Sequence, residues 1–98
     1  MQRVNKKLYK EAIKTFGESA QAVVAMEECS ELIKEISKAL RRKINIEHIA
    51  EEIADVEIMV EQLKIMFNIE DLVEHFIRMK NGRLEALISQ KRGENVVN

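Results

Sequence analysis

Residues Ser19–Arg42 read SAQAVVAMEECSELIKEISKALRR, and this stretch decides the fold. It contains no Gly or Pro, and its apolar residues recur every three or four positions, as on one face of a helix. Its basic end, Arg41-Arg42-Lys43, suits a helix C-terminus, where exposed carbonyls attract cations. Working outward, Gly17 stops an earlier helix, Asn5 to Thr15, that carries Leu8 and Ala12. Asn45 marks a short turn after the basic end, and a third helix runs from Glu47 to Phe67. Asn68 then reads as the N-cap of a fourth helix, with Glu70 and Asp71 in its first turn and Leu72, Phe76, Leu84 and Leu87 at helical spacing. The expectation is an all-α protein: an antiparallel four-helix bundle, one domain over residues 1–91, with a disordered tail over 92–98.

Composition agrees. The 98 residues hold no Pro or Trp, three Gly and 4% aromatics, too little turn material for a many-stranded fold. Sixteen Lys and Arg against 17 Asp and Glu leave a net charge of −1, which excludes a polybasic nucleic-acid or membrane-surface binder. A single cysteine, Cys29, excludes an internal disulfide scaffold and favours a reducing, cytoplasmic setting; on its helix it reads as small core filler. The opening MQRVNKKLYK is charged and does not read as a signal peptide. The longest apolar run, Ala22 to Met26, falls far short of the roughly 20 residues a membrane span needs.

On a helical wheel, Ala25, Cys29, Leu32, Ile36 and Leu40 form the apolar stripe of the second helix. Glu28 lies about 40° to one side of Leu32 and Glu31 about 100° to the same side. The third helix has its stripe in Ile49, Ile53, Val56, Val60 and Leu63, with Glu52 and Asp55 displaced by the same angles from Val56. The pairs Glu28/Asp55 and Glu31/Glu52 are both centred on the Arg41–Arg42 bond. A hairpin folded there brings four carboxylates to similar heights, on helices about 8–10 Å apart. Close like charges repel and resist desolvation unless a cation joins them. Hard oxygen ligands with few imidazoles suit Mg²⁺, or Mn²⁺ in its place, and Mg²⁺ commonly completes its shell with substrate phosphates. Acidic residues three apart also occur on merely solvated helix faces. Asp71/Glu74 is such a pair, facing away from its own stripe.

The fourth helix supplies a basic counterpart. Lys80 and Arg83 fall in the middle of its apolar face, where cations need a partner. They read either as long stems covering a hydrophobic edge or as groups that neutralise phosphate oxygens. Gly82 in a helix interior leaves room for a close approach. Gln21, two turns before Glu28 on the same face, is a candidate hydrogen-bonder to a base or ribose, or else a satisfied core-edge amide. His48 and His75 lack the Glu three residues earlier that a di-iron bundle requires.

These residues resemble a family. Glu27-Glu28-Cys29-Ser30-Glu31, twenty residues, then Glu52-Ile53-Ala54-Asp55 is similar to the EExxE…ExxD signature of the MazG-like all-α nucleotide pyrophosphohydrolases. The Phe16-Gly17 pair, Gln21, and Lys80-Asn81-x-Arg83 extend the likeness from Thr15 to Leu87. The resemblance implies Mg²⁺-dependent hydrolysis of a nucleoside triphosphate to the monophosphate and pyrophosphate, with Glu28, Glu31, Glu52 and Asp55 as metal ligands. It also implies a homodimer or homotetramer in which a site can borrow residues from a neighbour. One carboxylate, such as Glu31, would orient or deprotonate the attacking water. With no second catalytic repeat and no added segment to enclose a base, no nucleotide preference follows. The competing readings are a non-catalytic helical interaction module and a cation-binding bundle without turnover.

Overall fold

The computed structural model describes residues 4–93, all of whose regular structure is helical. Asn5 opens α1 (Lys6–Phe16) by accepting the Leu8 N–H on its side-chain oxygen at 3.1 Å, which satisfies one free donor of the first turn. Gly17 ends α1 and begins α2 (Glu18–Leu40) with φ 95° and ψ 150°, a backbone region that a side chain strongly disfavours. α2 closes without a glycine. Arg42 takes the left-handed conformation (φ 67°), its N–H bonded to the Ala39 carbonyl and that of Lys43 to the Lys38 carbonyl. This pair of bonds is a Schellman motif. Asn45 then caps α3 (Ile46–Phe67), accepting the His48 N–H at 3.1 Å.

Asn68 departs from the expected N-cap role. It sits in the left-handed region (φ 55°, ψ 49°) and terminates α3, while α4 (Glu70–Arg92) begins after Ile69 without a side-chain cap. Asn tolerates left-handed φ better than other non-glycine residues, so it serves here as α3's stop. Arg92 still belongs to α4, and Gly93 caps it. The rest of the expected tail, 94–98, lies outside the described residues.

The chain forms two compact units, Met1–Asn68 and Ile69–Asn98. In the first, α2 and α3 pack most extensively on each other, and α1 packs on both. Its buried residues are Tyr9, Ala25 and Met59 together with the polar Gln21, Glu35 and Gln62. The side-chain contacts between α2 and α3 include Gln21 with Gln62 and Glu35 with His48, each pair centred on the Arg41–Arg42 bond.

The faces differ from the wheel reading. On α2 the residues turned inward are Gln21, Ala25, Glu28, Leu32 and Glu35, whereas Cys29, Ile36 and Leu40 are exposed. Cys29 is therefore not core filler. On α3, Met59 and Gln62 are buried and Ile53 and Val60 are exposed. Both helices are rotated toward their polar edges, so the acidic positions approach the packed seam. In the second unit, α4 has no buried residue. No helix among the described residues is long and apolar enough to cross a membrane.

Candidate metal centre

The i, i+3 spacing on α3 puts Glu52 and Asp55 on one face, and α2 brings Glu28 to them. Each of the three offers a carboxylate oxygen, and these oxygens lie within 4.8 Å of one another. All three side chains are partly buried. Glu52 is the strained member of the group. Its Oε2 is sealed from solvent and accepts no hydrogen bond. Burial, reinforced by the charges of Glu28, Asp55, Glu31 and Glu35, raises its pKa above the ordinary 4.5. A carboxylate oxygen withdrawn from water, without a donor and among other acids, is what a cation would satisfy. An all-oxygen donor set suits a hard divalent ion such as Mg²⁺ or Mn²⁺.

Glu31, the fourth expected ligand, is placed differently. Its carboxylate is about half exposed and makes a loose pair with Lys34 at 3.9 Å, outside the convergent three. Its charge still reaches Glu52. Glu27 is exposed, as are Asp71 and Glu74.

A fifth acid, Glu35, is not singled out by the sequence motif. Its side chain is 8% exposed; Lys38 Nζ donates to its Oε2 at 3.3 Å and His48 Nδ1 lies 4.0 Å from its Oε1. A signal for it does exist in the sequence, because Glu35 and His48 obey the same turn-centred register as the acidic pairs. Gln62 is found by that rule too, as the partner of Gln21. Gln21 Nε2 donates to Gln62 Oε1 at 2.6 Å in a buried amide pair, which gives Gln21 the satisfied role rather than a free one.

Lys80 and Arg83 lie on α4 in the second unit, both exposed. Gly82 has nothing within 4 Å of the space a Cβ would fill, so no close approach explains it. His75 packs edge-on against Phe76, ring centres 5.3 Å apart.

Comparison of the chain with protein-family models, with curated proteins and with solved structures yields no match.

Proposed function

We propose that this chain is a divalent-cation-dependent nucleoside triphosphate pyrophosphohydrolase, all-α in build and acting as a homo-oligomer. The observation that carries the reading is the convergence of Glu28, Glu52 and Asp55, a group in which Glu52 also holds a buried carboxylate oxygen, Oε2, without a partner. The same three residues belong to the EExxE…ExxD pattern, whose fourth expected ligand, Glu31, lies outside the convergent group.

Glu28, Glu52 and Asp55 would hold Mg²⁺, with Glu31 joining from the rim. The bound ion would supply charge neutralisation for the triphosphate and a more acidic water. The carboxylates' task is to fix donors and orient that water, and Glu31, the most exposed of the four, is best placed to accept its proton. Addition of water at the α-phosphorus forms one P–O bond as the bond to the bridging oxygen breaks. Pyrophosphate leaves with the bridging oxygen, and the nucleoside monophosphate remains. Lys80 and Arg83, exposed on α4, carry the charge and donors that phosphate oxygens accept.

The exposed apolar residues of α4, including Leu72, Phe76 and Met79, favour a second reading, a helical interaction module without chemistry. ³¹P NMR separates the two. With a panel of ribo- and deoxyribonucleoside triphosphates and Mg²⁺, the enzyme reading expects monophosphate plus pyrophosphate, lost with EDTA and in Glu28→Ala. Absence of turnover across the panel, with no metal-dependent rise in melting temperature, would leave the interaction module.

A further inference from the structure

α2 carries two seams. One, through Gln21, Ala25, Glu28, Leu32 and Glu35, turns inward. The other runs through Ala22, Met26, Cys29, Ile33, Ile36 and Leu40, at alternating spacings of four and three. That alternation is the heptad pattern by which one helix packs lengthwise against another. Yet Met26, Ile33 and Leu40 are 64%, 68% and 81% exposed. Part of this seam, with Leu63 and Phe67 of α3, lines an apolar groove of about 420 Å³.

The seam is free of charge in a chain that is 34% charged. Its flanking positions, Val23, Ser30 and Ser37 on one side and Ala25, Leu32 and Ala39 on the other, are also uncharged. Every Glu and Lys from residue 27 to 38 is kept off this face. Such a strip is wide enough for a broad helix–helix interface, and apolar patches of this kind mark interaction sites.

We infer that this face is the dimer interface, and that its occupant is the α2 helix of a second copy running in the opposite direction. Two features of the sequence select that partner. First, the seam is palindromic about Glu31, so an antiparallel copy sets Ala22 opposite Leu40, Met26 opposite Ile36, and Cys29 opposite Ile33. Small residues meet large ones at two of the three kinds of contact, the alternation that lets facing layers interdigitate. A two-fold interface requires this self-complementarity. Second, α2 is polarised in charge. Residues 18–31 hold Glu18, Glu27, Glu28 and Glu31 with no Lys or Arg, while 34–43 hold Lys34, Lys38, Arg41, Arg42 and Lys43 against Glu35 alone. Antiparallel pairing lays the acidic half of each helix along the basic half of the other and opposes the helix dipoles. Parallel pairing would set like against like. The acidic cluster stays clear of this interface, because Glu28 belongs to the inward seam.

The inference specifies the oligomer in the proposed function but does not depend on hydrolysis, since its readouts are mass and cross-linking. Ile33→Cys places a thiol opposite Cys29 of the second copy. A disulfide needs Cα atoms within about 7 Å, so a mild oxidant, taking two electrons and two protons per bond, is expected to give covalent dimer in this variant. Wild type, whose two Cys29 residues are offset along the antiparallel helices, and Lys34→Cys on the far face are expected to stay monomeric on a non-reducing gel. Ile33→Lys is expected to halve the mass measured by light scattering while circular dichroism stays helical. A monomeric wild type at all concentrations would overturn the inference. So would an Ile33→Cys protein that does not cross-link while Phe76→Lys on α4 dissolves the oligomer.

Discussion

Gln21 and Gln62 join α2 to α3 by a 2.6 Å side-chain hydrogen bond, and only 8% and 4% of the two residues is exposed. Half of the buried residues among those described are polar, so stability in the first unit depends on polar groups meeting their partners. Gln62→Ala leaves the Gln21 amide buried without its acceptor and is expected to destabilise by about 1–3 kcal/mol. Replacing both by Leu removes donor and acceptor together and is expected to destabilise less than either single alanine. Urea unfolding of the single and double variants checks the order.

Glu52 predicts a pH dependence. Its folded-state pKa is raised above 4.5, so the folded state favours the neutral carboxyl. The associated stability is fully present below the unfolded-state value and is lost as pH rises through the folded one. Metal-free wild type is therefore expected to fall behind Glu52→Gln in melting temperature as pH rises above 4.5, and to match it below. A gap that is constant from pH 4 to pH 8 would contradict the burial of this charge. Divalent cation should raise the wild-type midpoint only, since binding requires the ionised ligand.

The convergent carboxylates and the peripheral one should separate in metal binding. Glu28→Gln and Asp55→Asn are each expected to weaken Mg²⁺ or Mn²⁺ affinity at least tenfold, equivalent to about 1.4 kcal/mol. Glu31→Gln, at a half-exposed position beside Lys34, is expected to change affinity several-fold less. Isothermal titration with Mn²⁺ ranks them, and equal losses at all three positions would place Glu31 inside the coordination shell.

The α2–α3 connection offers two changes of opposite sign. Asn45→Ala removes the acceptor for the His48 N–H and should destabilise by about 1 kcal/mol. Arg42→Gly relieves a left-handed conformation at an exposed residue, and is expected to stabilise by roughly 1 kcal/mol, the penalty of left-handed φ for a residue with a Cβ. Thermal denaturation of both variants at one pH provides the comparison.

Much of this organisation is legible in the sequence. Four helices follow from the 3.6-residue period and from the breaks at Gly17 and Asn45, all of which act within a turn or two of chain. The register about Arg41–Arg42 is legible for the same local reason, since a short connection fixes which residues can meet. It reappears in Gln21 with Gln62 and in Glu35 with His48. Asn68 is ambiguous in sequence because Asn serves both as an N-cap and as a left-handed stop, and its φ decides between the two.

Helix rotation is not legible. A wheel assigns Cys29, Ile36 and Leu40 to the core because apolar area drives burial, but it does not say which partner an apolar stripe serves. In the structure, α2 turns Gln21, Ala25, Glu28, Leu32 and Glu35 inward and leaves Cys29, Ile33, Ile36 and Leu40 outside. Sequence alone thus determined the helices, their order and the register that brings Glu28, Glu52 and Asp55 together. Tertiary structure alone decided that Glu52 loses water on one oxygen, that Glu31 keeps it, and that Gln21 is spent on Gln62. The helices and their register are set by local chain geometry, whereas desolvation depends on the atoms a neighbouring helix brings against a group.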